Sequence, residues 1–210
     1  MKLFLDTAET SHWQALAGCG LFCGITTNPL LLQRAQLRCS LETYRSLYAQ
    51  AMALGFSSIQ FQVFGDHWDQ CAESIAAIGP EVFVKIPANE RGFQATKRLN
   101  TPTRTTLTAI YSVGQVVAAE TLGVAYAAPY YARSLESGSD ADADFTDMQQ
   151  IASDCELLVA SLRSSSQFLE LAKRGFSTFA LPPEIATKFW MSTQAAQAIE
   201  AFEEAAQSHP

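Results

Sequence analysis

The sequence predicts an α/β fold, a (β/α)8 barrel of the TIM type, on three observations. Eight short β-rich runs recur along the 210 residues, segments with helical spacing lie between them, and no Pro/Gly/Ser-rich linker divides the chain. Strict alternation implies parallel strands joined by crossover helices, and eight such units are the number that closes a barrel. A doubly wound open sheet is the competing architecture, but its first strand would lead into a Gly-rich phosphate turn, and "LDTAETSHW" contains none. The expectation is one domain spanning residues 1–210.

The elements follow in order. "KLFLDT" (2–7) and "LFCGITTN" (21–28) read as the first two strands. "SLETYRSLYAQAMALG" (40–55) is a helix, because Leu41, Tyr44, Leu47, Tyr48 and Ala51 recur at helical spacing and Gly55 closes it. "SSIQFQVF" (57–64) is the third strand, "DHWDQCAESIAAIG" (66–79) a helix, and "EVFVKIP" (81–87) the fourth strand. "NERGFQATKRLN" (89–100), "TRTTLTAI" (103–110), "SVGQVVAAETLG" (112–123) and "VAYAAPYY" (124–131) continue the alternation of helix and strand. "DFTDMQQIASDC" (144–155), "ELLVASL" (156–162), "SSSQFLELAKRG" (164–175) and "STFALP" (177–182) complete it. Several helical segments open on Ser, Asp or Asn, which satisfy free N–H groups, and several close on Gly. "MSTQAAQAIEAFEEAAQS" (191–208) is left over as an extra C-terminal helix, with Ala195, Ala198, Ile199, Phe202 and Ala206 on one face. A complete barrel leaves that face without a home, so it is expected to pack on a neighbouring subunit.

Composition narrows the function. With 48% hydrophobic and 17% charged residues the chain suits an ordinary globular protein. A formal charge of −7 argues against nucleic acid or an anionic membrane surface as the main partner. Asp6 and Glu9 interrupt the start where a signal peptide needs its apolar segment, and no apolar run approaches membrane-spanning length, so a cytoplasmic protein is expected. Cys19, Cys23, Cys39, Cys71 and Cys155 show no CxxC and read as buried free thiols. His12, His67 and His209 are far apart, so neither a metal site nor a His-based triad is expected.

In a barrel, alternate strand residues face the interior and the chemistry sits at the C-terminal rim. In the third strand Ile59, Phe61 and Val63 suit packing under helices, which turns Gln60, Gln62 and Phe64 inward. The same parity turns Val82, Val84 and Ile86 outward, and Phe83 and Lys85 inward. A lysine among apolar groups is costly when charged, which favours the neutral amine that attacks a carbonyl. The bland alternative is a lysine that snorkels to the rim and meets a carboxylate such as Asp6. Further polar residues converge on the same ring: Asp6 ends the first strand, Thr26 and Asn28 the second, Thr108 the fifth, Tyr130 the sixth and Ser161 the seventh. Taken singly, Asp6 reads as a helix cap, Asn28 as an Asx turn, Thr108 as a β-former and Ser161 as a core hydroxyl. Arg133, just past the sixth strand, suits an anionic group such as phosphate.

"LFLDTA" (3–8), "GITTNP" (24–29), "FQVF" (61–64), "VKIP" (84–87), "TLTAIYS" (106–112), "APYYAR" (128–133), "VASLRS" (159–164) and "ALPPEI" (180–185) together resemble the transaldolase family. Within it they are most similar to the short subfamily that includes fructose-6-phosphate aldolase. "GITTNP" followed by "VKIP" at this separation is the specific part. The resemblance implies that Lys85 forms a Schiff base, Asp6 lies beside the reacting hydroxyls, and Asn28 bonds the dihydroxyacetone unit. It also implies that Ser161 and Arg133 hold the phosphate, with Thr26 in the substrate site, and that Gln62, Thr108 and Tyr130 hold a catalytic water. Transaldolases generally resemble one another in having Glu at the position of Gln62 and Phe at that of Tyr130; this chain follows the aldolase pattern at both. Leu30 and "YYAR" depart from the family's usual forms.

The implied activity is a class I aldolase without cofactor or metal, interconverting fructose 6-phosphate with dihydroxyacetone and glyceraldehyde 3-phosphate. The alternatives are a transaldolase that passes the three-carbon unit between sugar phosphates, and a non-catalytic sugar-phosphate-binding barrel. The resemblance also implies a ring-based homo-oligomer of ten subunits.

Overall fold

The structure, a computed structural model, describes residues 1–99 and 101–207. Asn100 and Ser208, the last residues of two expected helical segments, and His209 lie outside the described residues. Eight parallel strands close into a barrel in sequence order: β1 (Lys2–Asp6), β2 (Gly24–Thr26), β3 (Ser58–Gln62), β4 (Val82–Pro87), β5 (Thr105–Ile110), β6 (Tyr126–Pro129), β7 (Glu156–Val159) and β8 (Thr178–Leu181). β8 returns to β1 in parallel, so the molecule is a (β/α)8 TIM barrel. The helices are α1 (Thr10–Ala17), α2 (Pro29–Arg34), α3 (Leu41–Ala53), α4 (Trp68–Ala76), α5 (Glu90–Arg98), α6 (Val113–Leu122), α7 (Tyr131–Glu136), α8 (Ala141–Ile151), α9 (Ser165–Lys173), α10 (Pro183–Ala186) and α11 (Thr193–Gln207).

Strand parity falls as the sequence predicts within β3 and β4, but Phe64, expected inward, lies past the end of β3 and packs against the outer core, with its ring centre 5.8 Å from that of Tyr44. Ile59, Phe61, Val63, Val82, Val84 and Ile86 pack against helix residues such as Tyr44, Leu47 and Ile75 in the outer core. The barrel interior is a second, smaller cluster around Phe4, Tyr126, Ala128, Leu158 and Ala180, with Phe83 packed against it. Phe4 and Phe83 meet the Tyr126 ring at centroid distances of 5.8 and 5.4 Å, so aromatic side chains fill the lower barrel. Below them Lys2 and Thr178 both bond Glu156, tying β1, β7 and β8 where the barrel closes. Lys85, Gln62 and the other polar groups thus stand above a packed floor, not in a pore.

The structure departs from the sequence expectations in three ways. The short helices α2, α7 and α10 were not foreseen, although "NP" at 28–29 places a capping Asn before a Pro at the first helical position, the combination that starts α2. The helix expected over 144–155 instead runs over 141–151. Asp140 caps it by accepting from the Ala143 amide at 3.2 Å, and beyond Ile151 the Glu120 carboxylate takes the amides of Ser153, Asp154 and Cys155, turning the chain into β7. Of the cysteines expected to be buried, only Cys155 is; Cys19 is exposed, the other three are half-buried, and all five are free.

Candidate active site

Lys85 lies on β4 opposite Gln62 of β3 and Thr106 of β5. It is 4% exposed and, among the described residues, its side chain makes no ion pair or hydrogen bond. The end of β4 is held by a close approach: a Cβ on Gly92 would lie 1.9 Å from the Pro87 carbonyl oxygen, so only glycine lets α5 seat there. Asn89 completes the turn by accepting from the Gly92 amide at 2.9 Å.

Asp6, Asn28, Lys85, Tyr130, Arg133 and Ser161 line one cavity of about 200 Å³. The three remaining predicted residues do not line it, but two touch residues that do. Thr26 donates to Asp6 Oδ1 at 2.8 Å, which spends one carboxylate oxygen on orientation and leaves Oδ2 free of it. The Thr108 and Tyr130 hydroxyls meet at 3.0 Å, both buried. Gln62, facing Lys85 in register, has no side-chain hydrogen bond among the described residues. Its backbone carbonyl accepts from Tyr44 at 2.8 Å, and burial pushes that phenol far above the usual tyrosine range, keeping it a donor.

The bland readings are corrected in part. Asp6 does not cap α1, whose N-cap is Glu9, a residue that makes no side-chain capping bond. Asn28 does cap: its Oδ1 accepts from the Leu31 amide at 3.0 Å, so only its Nδ2 remains to donate into the cavity. Ser161 is held at φ +60°, left-handed backbone that costs a non-glycine residue of order 1 kcal/mol. Its Oγ is buried without a partner, and the carbonyls of Ala160 and Ser161 accept from Tyr131 and Ala132, locking the end of β7 to α7. Arg133 lies with its guanidinium carbon 4.7 Å from the Tyr130 ring centre and has no carboxylate partner among the described residues.

Sequence reasoning missed several lining residues, among them His12, Arg34 and Arg163. Arg34 comes from the unforeseen α2; Arg163 follows Ser161 by two and pairs with Glu136 at 3.3 Å. Also missed was a bulge between Thr108 and Ile110, centred on Ala109 at φ 57°. The extra residue restores Ile110 to the outer core while Thr108 keeps its inward aim. Gln115 pins this turn, donating to the carbonyls of Ala88 at 2.7 Å and Ala109 at 3.4 Å while accepting from the Tyr111 and Ser112 amides. Among the described residues no group of three or more His, Cys, Asp or Glu forms a metal-ligand set.

The arrangement combines a buried amine, an oriented carboxylate, a pair of hydroxyls and an arginine around one small cavity. Four of the chain's 14 Lys and Arg residues line it, although the chain carries −7 overall. Among solved structures the chain resembles an HpcH/HpaI aldolase/citrate lyase family protein from Burkholderia cenocepacia, with a TM-score of 0.66 over 95% of this chain and 94% of the other. At 11% identity that likeness concerns the fold alone. Sequence relatives include a probable transaldolase 2 of Listeria monocytogenes, 26% identical with 96% of this chain and 94% of the relative covered. Others are a probable transaldolase of Streptococcus agalactiae, 28% identical, and one of Sphingopyxis alaskensis, 29% identical, each covering 96% of this chain and 95% of the relative. The sequence pattern described as Transaldolase/Fructose-6-phosphate aldolase matches residues 3–209, and the chain belongs to that family.

Proposed function

We propose that the protein is a class I aldolase that cleaves and forms fructose 6-phosphate. The observation that carries the reading is Lys85: a buried lysine with no carboxylate partner, opening into a cavity shared with Asp6, Asn28, Tyr130, Arg133 and Ser161. Its neutral amine attacks the ketose carbonyl and water leaves, giving an iminium. A base removes the proton of the hydroxyl beyond the scissile C–C bond, the bond's electrons pass into the iminium, and glyceraldehyde 3-phosphate departs. Tyr130, with a water held by Gln62 and Thr108, serves as that base and then returns a proton to the enamine carbon. Hydrolysis of the second iminium frees dihydroxyacetone and restores the amine. Asp6 orients substrate hydroxyls through the oxygen not bonded to Thr26, Asn28 donates through Nδ2, and Ser161 with Arg133 binds phosphate.

A second reading is transaldolase, favoured by the names of the relatives, in which the enamine waits for an aldehyde acceptor. One experiment addresses both. Fructose 6-phosphate is supplied with and without erythrose 4-phosphate while free dihydroxyacetone is measured, and borohydride is used to trap the imine. We expect dihydroxyacetone without acceptor and reduction onto Lys85. Rapid sedoheptulose 7-phosphate formation with no free dihydroxyacetone would decide for transaldolase. Labelling of another lysine, or undiminished labelling in Lys85→Ala, would reject the assignment of Lys85, and no labelling at all would point to a non-catalytic binding barrel.

A further inference from the structure

Beneath the cavity lies a polar pair that the reaction described above does not use. Gln60 and Thr106 are both fully buried, at 0% exposure, and the Thr106 hydroxyl donates to Gln60 Oε1 at 3.0 Å. Gln60 sits on β3 opposite Phe83, and Thr106 on β5 opposite Lys85. β3 and β5 flank β4 on either side, so this bond crosses the inner face of β4 between the levels of Phe83 and Lys85. The other end of the amide, Nε2, is buried without a partner. Leaving such a donor unpaired costs about 1–3 kcal/mol, which an apolar pair of similar shape would avoid. The inner residues Phe4, Phe83, Tyr126 and Leu158 form a largely apolar cluster, whereas Gln60 has the fully buried Thr26 opposite it on β2 and Phe83 opposite it on β4.

In the layer above, Lys85 is the complementary case: the residue is 4% exposed, its side chain has no hydrogen-bond partner among the described residues, and it lines the cavity. We propose that Gln60 is a positioning residue for Lys85: clamped by Thr106, its Nε2 donates to the lone pair of the neutral amine. An ammonium or an iminium nitrogen has no lone pair to accept that bond. The contact therefore favours the free, uncharged amine and aims its hydrogens away from the floor, which readies it for the next carbonyl. The inference rests on the reading of Lys85 as the Schiff-base lysine. The ionisable groups sharing the cavity with Lys85 are the carboxylates Asp6, Glu9 and Glu184, the His12 imidazole, the cations Arg34, Arg133 and Arg163, and the Tyr130 phenol. On the flanking strands the facing residues, Gln60, Gln62, Thr106 and Thr108, are all neutral.

The test follows the initial rate of cyanoborohydride trapping with dihydroxyacetone as a function of pH, with the labelled lysine identified by peptide mapping. Trapping of wild-type protein at Lys85 is the control; its failure would reject the Schiff-base reading rather than this inference. In Gln60→Met, which keeps length and removes the donor, the midpoint of the rate profile should move upward by about half to one pH unit, the equivalent of one net hydrogen bond. Thr106→Val, which only unclamps the amide, should move it the same way by less, and it decides the question if Gln60→Met does not fold. Gln60→Glu should move it further up, because a carboxylate favours the ammonium. An unchanged or lowered midpoint in a folded variant would overturn the proposal. A merely structural role would lower thermal stability and leave the midpoint in place.

Discussion

Tyr130 meets its surroundings through two different parts of its side chain, and a single substitution separates them. The ring carries Arg133 at 4.7 Å and packs edge-on to Tyr111 at 5.6 Å, while the hydroxyl meets Thr108 at 3.0 Å. Tyr130→Phe keeps the ring contacts and removes only the hydroxyl, with its bond to Thr108. Free cleavage is expected to fall by about 10²- to 10⁴-fold, the usual contribution of a positioned acid or base, whereas transfer to an added aldehyde falls less. Equal losses in both assays would mean that the hydroxyl only fills space. Arg133→Ala should raise KM for phosphorylated sugars roughly 10- to 150-fold, the loss of about 1.5–3 kcal/mol of charge-assisted bonding. Unphosphorylated ketoses should be much less affected, and steady-state kinetics on a matched pair of substrates checks this. At this scale the inward aim of Lys85 and Gln62 was legible because strand side chains alternate with a period of two. The left-handed Ser161 and the bulge at Ala109 were not, since each is forced by neighbouring strands and not by its own residue type.

Among the elements, the end of α8 shows how a distant side chain sets a boundary. Glu120, on α6, accepts from the Ser153 amide at 2.6 Å and from those of Asp154 and Cys155. Partial desolvation alone would raise its carboxyl, but the three backbone bonds outweigh it and hold the group below the usual glutamate range. The same carboxylate, behind the larger effect of burial, helps push the Cys155 thiol up to about 12, which keeps that cysteine an unreactive thiol at neutral pH. Because the folded-state value of Glu120 is depressed, its contribution to stability is present above the ordinary glutamate value, near 4.5, and is lost as pH falls through the folded value. Glu120→Ala should cost about 1 kcal/mol at neutral pH, and the deficit relative to wild type should narrow as pH drops below that range. Thermal melts of both proteins between neutral and acid pH would show it, and a deficit that stayed constant through the acid range would contradict it. A helix start such as Asp140 is written locally, in a residue that binds the amide three positions on. This helix end depends on a carboxylate more than 30 residues earlier, so periodicity alone misplaced it.

For the whole molecule, α11 is the element the barrel leaves unused. None of its residues is buried, and Ile199 and Phe202 are 59% and 70% exposed, with Trp190 and Met191 also open just before it. A 15-residue helix is marginal in water without a packing partner. The expected partner is a second copy of this chain. Light scattering across a broad concentration range should show an oligomer, and truncation after Met191 should shift it to smaller species. A monomer of undiminished stability with α11 fully present would end that expectation. No helix of the described residues is long and apolar enough to cross a membrane. By itself the sequence determined the alternating barrel, the two faces of β3 and β4, and the family, because each depends on local periodicity or on short motifs in fixed order. Only the tertiary structure decided that Thr26 orients Asp6, that Thr108 meets Tyr130, and that Thr106 clamps Gln60 across the lysine strand. Those pairs join residues 20, 22 and 46 positions apart, and their contacts arise only when barrel closure brings the strands into register.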